Sequence, residues 1–514
     1  MPHVVRIVAF IFLSAIFVNA ASTSPNPDDE IKRLIKQATK LARAGSLGDA
    51  ESILRRAVLM DEKKSDAKVE LAYVLSKQQR LTEAYDISLG VAKGEPKNAR
   101  AFAVLGMTLL SAGRFDDARL ILSNSVSLNR REDLGWFGLG LLDFYENNMS
   151  SSFARLKEAI FYDSKDPDYH FAVAQVAARA EQYTKAAEAY NEYLDLSGIG
   201  DVERRARIKG LIRFLRFLGV GEKLYRPAGK EHTVTQFELI GSRPIVTVRI
   251  NGKDRPLRFV LDTGSGICVI SEDTAKKFKI KPVTRGGFER GIGGDGKFEI
   301  VYGLLDEIEI GDVAVRNIPV YIRKFHHENQ YFDGYIGLAF LSKFLTTIDY
   351  GTNTLSLVKR DEDRKEQMMD AEMSMPLRLT SSGFLSGEVK LQGISEPLNF
   401  IVDTGASVSV ISKNVASSNE ISRYLNDEKL RVIGSAGVTD GVSAFQLPRV
   451  SFGKHTRTDI LAVALDLGII NEAAGFEQAG ILGGNFLRNY RLTFDFKNSQ
   501  VTFVPLKPES PMPN

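Results

Sequence analysis

A chain of 514 residues with 44% hydrophobic and 25% charged residues exceeds a single ordinary core and has the composition of a soluble, multidomain protein. Its net charge of +3, spread over interspersed charges, excludes the basic footprint of a nucleic-acid binder. The one cysteine, Cys268, excludes an intrachain disulfide, so the domains must stand on core packing. At the N-terminus, His3 and Arg6 precede an apolar run from Ile7 to Val18, and Val18-Asn19-Ala20 offers small residues for cleavage. A run this short reads as a signal peptide over residues 1–20, with an uncleaved anchor as the alternative. The expectation is an exported, periplasmic or secreted protein of bacterial type, with no membrane attachment beyond the signal peptide.

Residues 31–198 are rich in Ala, Leu, Arg and Glu and repeat with a period of 34. Small residues recur at Ala38, Ala72, Gly106, Gly140 and Ala174, and a second series follows at Ala50, Ala84, Ala118, Ser152 and Ala186. Small residues at two fixed places let paired helices approach closely, the packing logic of a helix–turn–helix repeat. The segment resembles tetratricopeptide repeats, with Trp136-Phe137-Gly138-Leu139-Gly140 matching that family's opening, Tyr190 four after Ala186 and Pro96 in an inter-repeat turn. The fourth repeat departs from the pattern at Ser152 and Asn147-Asn148. Such repeats stack into a curved solenoid whose concave groove binds protein or peptide by default. Residues 199–232 hold a basic amphipathic stretch (Ile208, Leu211, Ile212, Leu215, Leu218), read as a capping helix and linker; a membrane-surface helix is the rival.

From Thr233 the pattern changes to short β-branched segments bounded by Gly, Asn or Pro, an all-β signature. Two lobes are expected, at 233–358 and 375–507, joined by a charged linker at 359–374. Residues 259–265 read Phe-Val-Leu-Asp-Thr-Gly-Ser and residues 400–406 read Phe-Ile-Val-Asp-Thr-Gly-Ala, an offset of 141. The same offset relates Pro256, Leu257 and Val269-Ile270-Ser271 to Pro397, Leu398 and Val410-Ile411-Ser412, and Arg290, Ile292 and Gly293 to Arg431, Ile433 and Gly434. An offset of 146 pairs Ile336-Gly337 and Phe340-Leu341 with Leu482-Gly483 and Phe486-Leu487, and Thr347 and Asp349 with Thr493 and Asp495.

These elements, in one order in both halves, resemble the retropepsin-like and pepsin-like aspartic proteases, here as two fused retropepsin-sized units. The resemblance implies a peptide-bond hydrolase without metal or cofactor, acting on peptide or protein substrates. Asp262 and Asp403 would activate a water. Thr263 and Thr404 would cross-link the loops, and Gly264 and Gly405 would admit backbone amides to the carboxylates. Ile292, Gly293 and Gly294, with Ile433, Gly434 and Ser435, would form flaps over substrate, although no flap tyrosine is evident beside Phe288 and Phe298. Ser265 can donate a hydrogen bond to Asp262 where Ala406 cannot serve Asp403, so Asp262 is the expected ionised partner. A catalytically inactive protease fold that holds peptides is the alternative.

Other motifs are weaker. Gly291 to Gly296 fits a dinucleotide fingerprint, but a strand rather than a helix should follow. His326-His327-Glu328 lacks a third spaced metal ligand. Cys268 has no paired histidine, and no serine-hydrolase elbow occurs. The two regions are expected to fold independently, the β region carrying every catalytic element.

Overall fold

The computed structural model describes residues 26–294, 297–325, 331–360 and 374–506. The expected signal peptide, most of the charged linker and His326-His327-Glu328 lie outside the described residues. Among those described, eleven consecutive helices come first: α1 (Pro27–Arg43), α2 (Leu47–Met60), α3 (Ser65–Lys77), α4 (Leu81–Gly94), α5 (Ala99–Ser111), α6 (Phe115–Leu128), α7 (Asp133–Tyr145), α8 (Met149–Tyr162), α9 (Pro167–Arg179), α10 (Tyr183–Leu196) and α11 (Val202–Val220).

Both small-residue series are buried, and a Cβ on Gly106 would crowd Leu122 at 2.6 Å. Ser152 fits where alanine is usual because its hydroxyl donates to the Gly140 carbonyl at 2.7 Å. The turn inside each pair has positive φ at Gly45, Gln79, Gly113, Asn147 and Glu181, so the backbone keeps the 34-residue period even where glycine is absent. Side chains of alternate helices meet inside the solenoid around a cavity of about 250 Å³. There Arg43 pairs with Asp163, Lys77 with Asp168 at 2.7 Å, and Arg100 with Glu70 at 2.8 Å. Much of the charge on that face is therefore already paired within the chain.

Helix α11 is apolar on two sides. Ile208, Ile212 and Leu215 pack on Ala186, Ala187 and Tyr190 of the last repeat. Phe214 and Leu218 pack on Ile300 and Tyr302 of the first lobe, with Phe214 stacked on Tyr302 at 4.3 Å between ring centroids. The cap is thus also a bridge.

Among the described residues the strands form a fourteen-stranded and an eight-stranded sheet. They begin at Arg226–Gly229, inside the stretch assigned to cap and linker, where the chain pairs with Val313–Arg316. Each lobe has one inner arrangement. Leu257–Leu261 runs parallel to Gly334–Ile336, as Leu398–Val402 does to Gly480–Leu482. Phe344–Asp349 and Tyr490–Asp495 pair antiparallel between the lobes, with the Thr347 and Thr493 hydroxyls 3.0 Å apart.

The two regions, expected to fold independently, share an interface. Phe476 of the second lobe is buried against Phe115 and Tyr145, at centroid distances of 4.8 and 5.1 Å. Glu477 donates its amide to the Ser111 carbonyl at 2.8 Å, and Arg179 donates to the Thr380 carbonyl. Lys343 of the first lobe pairs with Glu181 at 2.8 Å.

Candidate active site

Each aspartate ends a buried apolar strand, and the two loops that follow interlock. The Thr263 hydroxyl donates to the Val402 carbonyl at 2.7 Å and accepts from the Thr404 amide at 3.1 Å. Thr404 does the reverse, donating to Leu261 at 2.8 Å and accepting from the Thr263 amide at 3.1 Å. Both threonines are fully buried, so the four bonds hold the loops against each other in a dry setting. Gly264 donates to Asp262 at 2.9 Å and Gly405 to Asp403 at 2.7 Å. A Cβ on Gly264 would overlap the Asp403 carboxyl group, and one on Gly405 would lie 2.7 Å from that of Asp262. Only glycine permits this approach.

The Asp262 and Asp403 carboxyls lie side by side, a Cβ on Gly405 coming within 2.7 Å of the first and 3.1 Å of the second. Burial and the neighbouring Asp403 charge push the Asp262 carboxyl well above its ordinary range. Burial also raises Asp403, opposed by the hydrogen bond from Asp262 and by the amides of Gly405, Ala406 and Gly264. Both carboxyls are raised, more donors converge on Asp403, and the two titrate as one pair that shares a proton. That balance of donors runs against the expected ionised Asp262. The Ser265 hydroxyl on which that expectation rested donates to the Ile267 carbonyl at 2.8 Å, and Asp262 accepts from the Gly264 amide instead.

The two glycine-rich tips close hairpins made by Thr284–Arg290 with Lys297–Ile310, and by Leu425–Ile433 with Val438–Phe452. They bond to each other. Ala436 donates to the Ile292 carbonyl at 2.8 Å, Gly294 to Val438 at 3.1 Å, and the Ile292 amide to the Ser435 hydroxyl at 3.2 Å. Ile292 crosses to pack in a cluster of the second lobe that includes Ala406 and Val408, beside the Asp403 loop. Gly293 and Gly434 sit at the crossing, Gly293 at φ +92°. Ile433 is partly exposed at the strand end.

Three side chains near the aspartates escaped the sequence reading. Tyr335 pairs with Val260, two residues before Asp262, and burial pushes its phenol up, with Arg243 and Arg323 opposing and Asp262 and Asp403 reinforcing the shift. Aligning Gly334-Tyr335-Ile336-Gly337 with Gly480-Ile481-Leu482-Gly483 would have flagged the tyrosine. Lys297 begins a strand, so the dinucleotide motif lacks its helix. Burial pushes the Cys268 thiol up to about 12, leaving it unreactive. Among the described residues no group of His, Cys, Asp and Glu has the arrangement of a metal site.

Residues 246–340 and 387–486 match the family model of the aspartyl protease, and residues 136–198 match that of the tetratricopeptide repeat. The chain therefore carries an aspartyl protease family domain in two segments behind a tetratricopeptide repeat region. Among solved structures it is similar to TTC0263, a thermophilic tetratricopeptide repeat protein of Thermus thermophilus (18% identity, 35% of this chain, 98% of that one, TM-score 0.30). It is also similar to pilF of Pseudomonas aeruginosa (17% identity, 38% and 88% covered, TM-score 0.28). No curated protein matches the chain.

Proposed function

We propose that this chain is an exported aspartic endopeptidase in which Asp262 and Asp403 activate a water. The observation that carries the reading is a pair of adjacent carboxyls, supplied by equivalent interlocked loops, beneath two joined hairpin tips. Two carboxyls in contact cannot both ionise, so one acts as base and the other as acid. The Asp403 carboxylate takes a proton from the water as it attacks the scissile carbonyl. Asp262 donates its proton to the developing oxyanion, and the dyad then protonates the leaving nitrogen. The hairpin tips must part to admit a chain and rejoin over it, excluding bulk water. The repeats would recruit protein substrates or partners, and the N-terminal apolar run supports export to a periplasm or medium.

The test is cleavage of a diverse peptide library by the full chain. Asp262→Asn and Asp403→Asn should each lower kcat by about 10³-fold or more, since both members of an acid–base pair are needed. Chelators should change nothing. A wild type no faster than either variant would leave a protease fold that only holds peptides.

A further inference from the structure

The two lobes share one sheet arrangement, so their strand registers show which residues occupy equivalent places. Val260 pairs with Tyr335 as Ile401 pairs with Ile481. Ser271 pairs with Arg323 as Ser412 pairs with Leu465. Ile245 pairs with Val260 as Ser386 pairs with Ile401, so Arg243 and Phe384, each two residues earlier, correspond. In the second lobe Phe384, Leu465 and Ile481 belong to one apolar cluster, which receives Ile292 from the first hairpin tip. In the first lobe the same three places hold Arg243, Arg323 and Tyr335.

The two walls meet the hairpins by the same rule. Arg323 donates to the Ser435 carbonyl of the second tip, as Leu465 packs in the cluster with Ile292 of the first. The Arg323 guanidinium lies 3.7 Å above the Phe298 ring and that of Arg243 4.9 Å from the Phe332 ring. The Nε atoms of both arginines are buried without a hydrogen-bond partner, and neither side chain has an ion pair among the described residues. Glu289 lies near Arg323, but burial pushes its carboxyl up and so disfavours the charge that would neutralise the arginine. Two half-buried cations stand on one side of the aspartates, where the matching side is aliphatic and aromatic.

We propose that the first-lobe wall, Arg243 and Arg323 with Tyr335, binds a substrate carboxylate next to the scissile bond, while Phe384, Leu465 and Ile481 take an apolar side chain across it. This deepens the peptidase reading and rests on it for the position of the scissile bond. The carboxylate comes from an Asp or Glu side chain or from the substrate's own C-terminus. Guanidinium groups suit either, since they offer paired N–H donors to a planar carboxylate.

The test uses the full chain and peptides matched in pairs, Glu against Gln beside a leucine, each with a free or an amidated C-terminus. Wild type should cleave the Glu peptide with kcat/KM about tenfold above the Gln peptide, the size of one charge-assisted hydrogen bond. That ratio should collapse towards one in Arg243→Met and in Arg323→Met but persist in Arg243→Lys, which keeps the charge. A Glu preference assigns the carboxylate to the side chain, whereas equal Glu and Gln rates that both fall about tenfold on amidation, and no longer fall in Arg243→Met, assign it to the C-terminus. Cleavage indifferent both to Glu against Gln and to amidation in wild type overturns the inference and leaves the peptidase reading intact. Where no peptide is cleaved, the peptidase reading fails, and anisotropy binding of the same labelled peptides decides. Equal affinities overturn the inference, and a Glu preference lost in Arg243→Met upholds it. Thermal melts identify any variant that unfolds, for which Arg243→Gln is the milder replacement.

Discussion

At the scale of single residues, the aspartate pair was legible because its surroundings are repeated at a constant offset, and chance does not repeat a strand, a turn and a glycine in order. The charge assignment was not legible. It depends on where the Ser265 hydroxyl and a few backbone amides point, and Ser265 finds the Ile267 carbonyl before it reaches Asp262. Two consequences are measurable. Because the equivalent hydroxyl serves the backbone, Ala406→Ser should leave the pH–rate profile near that of wild type, whereas a large acid shift would restore the sequence-based view. Burial raises both carboxyls, so activity should extend above the strongly acidic range, and a profile confined to such pH would contradict the described dyad. Stability carries the same sign. A carboxyl raised in the folded state keeps its proton after the unfolded chain has lost it, so stability falls as pH climbs from the ordinary value of 3.8 towards the raised one. Asp262→Asn should therefore melt several degrees above wild type at neutral pH, with the gain vanishing in acid. Melting curves at both pH values check this, and a gain that persists in acid would mean another cause.

At the scale of elements, the helical and strand regions could be read from their periods, 34 residues in one and alternating short strands in the other. What could not be read was a partner. The apolar positions of α11 fit a cap, but Phe214 and Leu218 serve a second surface on the first lobe. Gly210 lets α11 lie against the first hairpin, since a Cβ there would overlap the Gly286 backbone. Arg213 adds a hydrogen bond to the Arg285 carbonyl at 2.9 Å. The base of that hairpin is thus held by the helix while its tip is held by the other hairpin. Gly210→Leu should push the two apart, loosening the hairpin without touching the aspartates. The expected result is a raised KM and a kcat reduced about tenfold, the scale of effect from misplacing a substrate-closing element. Unchanged steady-state kinetics in a correctly folded variant would show that α11 does not steer the hairpin.

At the scale of the whole molecule, the two-region architecture follows from the sequence, but the contact between the regions does not. Interfaces between domains use ordinary apolar side chains, and neither Phe476 nor Tyr302 differs in sequence pattern from a core residue of its own lobe. Helix α11 covers Tyr302 and Ile300, while the turns after α5 and α7 meet Phe476, Gly475 and Asn399. The solenoid therefore touches both lobes. Removing it would expose Phe476, now 1% accessible, and Tyr302, now 3%, and would strip the first hairpin of its support. Each large aromatic transferred back to water costs about 2–3 kcal/mol, a large part of the roughly 5–15 kcal/mol that typically holds a domain folded. A chain starting at residue 222, which keeps the first strand, should then melt well below the full protein and lose kcat/KM on short peptides and on proteins alike. Parallel assays of the two chains on a short peptide and on a folded protein substrate separate the possibilities. Loss on both, with a lowered Tm, makes the repeats a structural part of the peptidase. Loss confined to the protein substrate makes them a docking arm whose benefit is effective concentration at the cleft, and the packing described at Phe476 and Tyr302 would then contribute little.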